Sequence, residues 1–154
     1  MISVSQKQPA LGDTPCADTA APLTQVAALC TREGKKGTKI LLVKSSRGRW
    51  ILPKGWPMDD RTDAQAAKCE AWEEAGVAKG RIGKTPIGTY LAKKRFDDGR
   101  VVPCLVAVYP LAVKSTVDHY PESETRERKW FPVKKAIKRV DETGLKDILR
   151  ALLS

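Results

Sequence analysis

The stretch PKGWPMDDRTDAQAAKCEAWEEAGV, Pro53 to Val77, sets Glu70, Glu73 and Glu74 on a single turn of a predicted helix. From Thr62 to Ala75 there is no Gly or Pro, and Ala, Gln and Glu dominate, all good helix formers. Thr62 or Asp63 can cap the start, and Gly76 falls where helices commonly end. Like charges three and four residues apart lie side by side on a helix and cost about 0.2–0.5 kcal/mol per pair. A chain with a formal charge of +10 nevertheless concentrates three carboxylates here.

A solvated acidic face is the plain explanation. The neighbouring residues favour another. Ala64, Ala67, Ala71 and Ala75 make a seam of small side chains beside the glutamates, which lets the helix press against another element and fixes the carboxylates. The turn Pro53-Lys54-Gly55-Trp56-Pro57 can add a backbone carbonyl. Fixed hard oxygens suit magnesium, which keeps some of its waters for substrate phosphates. Mutual repulsion also raises the proton affinity of one carboxylate, a property useful in a base.

At 154 residues, 42% hydrophobic and 30% charged, the chain has the composition of one ordinary globular domain. Its longest apolar runs are too short to span a bilayer, and the first residues lack a basic start followed by an apolar stretch. Cys16, Cys30, Cys69 and Cys104 are widely spaced with no CxxC pair, which argues against structural zinc and for the reducing cytoplasm. A pI near 9.6 points to an anionic partner.

Residues 1–22 read as a flexible lead-in and residues 23–154 as the folded domain. TQVAALCTRE and TKILLVKS, joined by GKKG, read as a hairpin, and RWILP as a short strand after the turn SRGR. IGTYLAKKRF and RVVPCLVAVYPLAV read as two longer strands joined by DDG, with Pro103 marking an edge or a bulge. KKAIKRV and DETGLKDILRALL read as two short helices. Strands, helix, strands, helices in that order imply a mixed sheet flanked by helices on both sides.

Gly55 through Val77 resembles the Nudix box, G-x5-E-x7-R-E-U-x-E-E-x-G-U with U aliphatic. Gly55, Glu70, Glu73, Glu74, Gly76 and Val77 fall in register, with Ala71 at the first aliphatic position. The resemblance implies an α/β/α sandwich around a mixed β-sheet and hydrolysis of a diphosphate linked to another moiety, with Mg2+ or Mn2+ as cofactor. It implies Glu70, Glu73 and Glu74 as metal ligands together with the Gly55 carbonyl. Glu70, Glu73 or a later glutamate would be the base. Glu122, Glu124 and Glu127 are the later candidates, and Glu124 is also a candidate metal ligand.

Two box positions depart. Arg61 stands where the pattern has Glu, and Cys69 where it has Arg. The family's Glu and Arg form a pair, and since both have changed no buried charge is orphaned. The expectation is that Arg61 supplies its cation from the other side, to Glu70 or Asp59, as part of the catalytic group, while Cys69 fills space. Arg61→Ala should then lower turnover more than Cys69→Ala.

LLVKSSRGRWILPKGW resembles the diphosphoinositol polyphosphate phosphohydrolase branch at Ser45, Ser46, Arg47, Arg49 and Trp50, a branch that also holds diadenosine polyphosphate hydrolases. Arg47, Arg49, Lys54, Lys93, Lys94, Arg95 and Arg100 are the candidate binding residues for a densely phosphorylated small molecule. Trp50, Trp56 and Tyr90 are candidates for base stacking or for core, and His119 is assigned no role. Two readings compete with the hydrolase: a catalytically weak Nudix-fold module that binds a phosphorylated ligand, and removal of pyrophosphate from RNA 5′ ends. General nucleic-acid binding is less favoured, because aromatic and basic residues do not interleave along the strands. The sequence carries no signal of a membrane or of oligomeric state.

Overall fold

In a computed structural model that describes residues 22–153, the chain opens with the expected hairpin. Strands β1 (Leu23–Gly34) and β2 (Gly37–Lys44) pair antiparallel with Gly34 opposite Gly37, which turns at φ +105°. The short strands β3 (Trp50–Ile51) and β4 (Lys54–Gly55) follow, then helix α1 (Asp63–Ala75). Next come β5 (Val77–Ile82), β6 (Gly88–Arg95), β7 (Val101–Thr116) and β8 (Arg128–Pro132), and finally α2 (Val133–Arg139) and α3 (Thr143–Arg150). The expected lead-in, but for its last residue, lies outside the described residues.

The strands form one mixed sheet whose main path runs β3-β2-β1-β7-β5, with β4 on β1, β6 on β7 and β8 on β2. β1 and β7 are parallel from Leu23↔Cys104 to Thr31↔Ala112, and the other pairs are antiparallel. β1 and β2 read as continuous apolar runs because both faces are covered. Val26, Ala28, Leu41, Val43 and Leu111 pack beneath α1, while Ala27, Leu29, Ile40, Leu42, Val106 and Val108 pack against α2 and α3. This is the α/β/α sandwich.

The alanine seam does what its side-chain size allows. Ala64, Ala67, Ala71 and Ala75 are buried against the sheet, so α1 lies close to β1 and β4. Thr62 is the cap, in a reciprocal box: its Oγ1 accepts from Gln65 N (3.1 Å) and its own N donates to Gln65 Oε1 (2.9 Å). Gly76 ends the helix at φ 70°, a conformation in which a Cβ would also collide with Tyr120 and Arg128.

Three details differ from the sequence reading. RWILP is two short strands, interrupted at Leu52-Pro53. β5 gives little apolar signal because it is an edge strand, bulged near Lys79, with only Val77 buried. β8 is masked by its charges and Pro132, yet it pairs with β2 from Lys39↔Pro132 to Val43↔Arg128. Pro103 sits just before the pairing with β1 begins at Cys104, so there β7 is an edge on that side.

Candidate active site

Helix α1 presents its carboxylates to the turn that precedes it. Gly55 on β4 lies directly under Glu70: a Cβ added at Gly55 would sit 2.4 Å from Glu70 Oε2 and 2.8 Å from Oε1. Glu70 and Glu74 are buried and hydrogen-bonded to each other. Glu74 Oε1 also accepts from the Lys54 backbone N at 3.3 Å. Burial pushes Glu70 up to about 7 and Glu74 well above the ordinary carboxylate range. The bond between them favours ionised Glu70 and neutral Glu74, so the pair shares a proton.

Glu73 is half-buried, and its Oε2 accepts from the Cys69 thiol at 3.5 Å. Cys69 was expected only to fill space. Burial and then the Glu73 charge push this thiol up to about 11, which keeps it protonated and able to donate. Arg61, expected against Glu70 or Asp59, has Nε 3.9 Å from Asp60 Oδ1, and nearly half of its side chain is exposed. The Glu73 carbonyl accepts from Glu122 N at 3.0 Å, which ties the loop before β8 to the helix. Arg126 Nε holds Glu122 Oε1 at 2.8 Å, and the Glu122 charge reaches both Glu70 and Glu74. Glu124 is exposed, and Glu127 stands 3.8 Å from Lys44 Nζ. Glu122, not Glu124, is the loop glutamate tied to the helix.

Among the described residues no three His, Cys, Asp or Glu side chains stand in ligating geometry. The hydrogen bonds explain this: Glu70 and Glu74 turn to each other, and Glu73 to Cys69. The donor set nonetheless fits a hard divalent cation. It is all oxygen, and the bare backbone of Gly55 is what leaves room for the Glu70 carboxylate.

Beside the pair lies a cleft of about 250 Å³. Ser45, Ser46, Arg47 and Arg49 line it from the β2–β3 turn, Lys54 from β4, and Lys93, Lys94 and Arg95 from β6. Ser45 Oγ accepts from the backbone N of Arg47 (3.3 Å) and Arg49 (3.1 Å), which fixes the turn. Six of the seven expected cations therefore share one cleft. Arg100 does not join them, since it pairs with Asp98 at 3.1 Å in its own turn. Glu74 lines the same cleft, so its basic wall and the carboxylate helix meet.

Gln25, Arg126 and Glu142, which are not among the residues the sequence points to for binding, also line the cleft. Gln25 alone left a trace, as a polar residue inside an apolar strand; it accepts from Lys54 Nζ at 3.3 Å. Burial lowers the Lys54 ammonium below its ordinary range. Trp56 and Tyr90 are core residues, and Trp50 packs edge-on to Phe131 with ring centroids 5.0 Å apart.

Residues 22–152 match the NUDIX domain, nearly the whole described chain. The chain belongs to the Nudix family. It is 37% identical over 121 residues to "Nudix hydrolase 16, mitochondrial" of Arabidopsis thaliana, a match covering 76% of this chain and 66% of that protein. It is 35% identical over 118 residues to human "Diphosphoinositol polyphosphate phosphohydrolase 3-alpha", covering 74% and 66%. The chain spans between about half and two thirds of the length of the curated relatives it matches.

Solved structures agree on the fold. The Caenorhabditis elegans Ap4A hydrolase binary complex superposes with a TM-score of 0.61 at 22% identity, covering 83% of this chain and 93% of that one. The Nudix domain of Shewanella oneidensis NrtR complexed with ADP ribose gives 0.65 at 20% identity, covering 94% and 96%. No helix of this Nudix chain, among the described residues, is long and apolar enough to cross a membrane.

Proposed function

We propose that this Nudix chain is a magnesium-dependent hydrolase that cleaves a diphosphate linkage in a highly phosphorylated small molecule, either a diphosphoinositol polyphosphate or a diadenosine polyphosphate. The observation that carries this reading is Glu74 lining the same cleft as Arg47, Arg49, Lys93, Lys94 and Arg95. A phosphate group bound by the arginines and lysines would share the cleft with the Glu74 carboxylate. The relatives named for diphosphoinositol polyphosphates support the same substrate class.

Glu70, Glu73 and Glu74, with the Gly55 carbonyl, would hold Mg2+ or Mn2+. When bound, the ion offsets charge on the phosphoryl oxygens and lowers the pKa of water. The chain's own residues do the rest. Arg47, Arg49 and Arg95 supply paired donors to phosphates, and Lys54, Lys93 and Lys94 supply point charges. Glu122, anchored by Arg126, accepts the proton of the attacking water. The water oxygen bonds to phosphorus as the phosphoric anhydride P–O bond breaks, and inorganic phosphate or a nucleotide leaves. Cys30, Cys69 and Cys104 are free thiols, which suits a reducing compartment such as the cytoplasm; several relatives carry mitochondrial names.

A second reading, a module that binds a phosphorylated ligand without cleaving it, draws on Arg61 and Cys69 in the box. A panel of diphosphoinositol polyphosphates, diadenosine polyphosphates, ADP-ribose, nucleoside triphosphates and 5′-triphosphate RNA, incubated with magnesium, separates the two. Cleavage of one of the first two classes is expected. Cleavage of the RNA alone would move the substrate to nucleic-acid ends, and binding without cleavage throughout would favour the module.

A further inference from the structure

We propose that the outer face of α1 and the free edge of β5 form a second anion site, separate from the cleft, that takes a single-stranded nucleic acid. Two depressions adjoin there. One, of about 790 Å³, holds Lys68, Cys69 and Trp72 together with the Asp60–Arg61 pair; the other, of about 510 Å³, holds Lys79, Arg81 and Lys114. Both are lined by Lys68 and Ala78, so they meet at these residues. Among the described residues Lys68, Lys79, Arg81 and Lys114 enter no ion pair, whereas Arg100, Arg126, Arg128 and Arg150 each hold a carboxylate. Within the groove Trp72 leaves 38% of its surface exposed.

Unpaired cations along a groove with an open indole are what a single strand requires: the cations follow its phosphates and the ring stacks on a base. Lysine on an edge strand also discourages strand pairing, which accounts for Lys79 and Arg81. It accounts for neither Trp72 nor Lys68, which lie on the helix. A protein strand added to β5 fits less well, because register shifts around Lys79 break the regular ladder. The sequence hid this arrangement because its aromatic and basic residues come from α1, β5 and β7.

Fluorescence anisotropy of a labelled 5′-hydroxyl oligouridylate of about 12 nucleotides, added to the full chain in EDTA, tests the site without involving hydrolysis. The slope of log affinity against log salt should be about −3, from four phosphate contacts at roughly 0.7 each. The double variant Lys79→Ala/Lys114→Ala should reduce that slope by about 1.4. Trp72→Ala should weaken binding roughly tenfold, and Trp72→Phe should restore most of it. Absence of binding at low salt would overturn the proposal. So would binding that these variants leave intact while Arg47→Ala and Lys93→Ala abolish it, since the strand would then occupy the cleft.

Discussion

The Glu70 carboxylate occupies the space that a side chain at Gly55 would need, with Oε2 2.4 Å from where a Cβ would lie. The nearest atoms are the far end of a flexible side chain, so Gly55→Ala can be accommodated by moving Glu70. Gly55→Ala should therefore lose no more than about 1–3 kcal/mol of stability while metal affinity and turnover fall at least about tenfold. Calorimetric titration with magnesium beside a melting curve separates the two effects. A large stability loss with normal metal affinity would contradict the role given to this contact.

Glu122 and Glu124 are two residues apart and differ in placement. Glu122 is bound to Arg126, and its backbone to Glu73; Glu124 is exposed. Glu122→Gln should lower turnover by about 10²-fold or more, as expected for loss of a general base, and Glu124→Gln by less than about twofold. Steady-state rates on the preferred substrate check the contrast.

The shared proton on Glu70 and Glu74 has two consequences for pH. Burial raises Glu70 from an ordinary value of 4.5 to about 7, so between these values the folded chain binds protons that the unfolded chain has released. This contribution to stability is full below about 4.5 and is lost as pH rises through about 7. In EDTA, the melting temperature should carry a downward component over that range. Magnesium must displace the same proton, so its affinity should increase from about pH 6 to about pH 8. A titration series across that range tests it, and an affinity independent of pH would contradict it.

The Cys69 thiol donates to Glu73 Oε2, whereas Arg61 Nε stands 3.9 Å from Asp60 Oδ1. These contacts favour the opposite order of effects from the one the box pattern suggests. Cys69→Ala removes one weak hydrogen bond from Glu73 and should lower turnover about threefold, the equivalent of roughly 0.7 kcal/mol. Arg61→Ala should change turnover by less than about twofold, because an exposed pair such as Arg61–Asp60 contributes little. Parallel kcat measurements decide between the two orders.

The sheet order and the carboxylate helix were legible for a physical reason. β1, β2 and β7 are apolar on both faces, and α1 carries its cap, alanine seam and terminal glycine within one local stretch. β5 and β8 were not legible, because an edge strand and a strand ending in Pro132 lack the alternation that marks burial. The cations of the cleft could be nominated as a group, but Arg100 could not be excluded without its contact with Asp98. Gln25 and Glu142 reach the cleft from opposite ends of the chain, and no local pattern joins them. Loop glutamates two residues apart look alike in sequence until a backbone hydrogen bond fixes one of them.

The most direct measurement is phosphate release from a diphosphoinositol polyphosphate, followed with and without magnesium for the unmodified chain and for Glu70→Gln. Release should require magnesium and fall by about 10²-fold or more in the variant, with both proteins folded. Equal rates in the two proteins, or release that continues in EDTA, would contradict it.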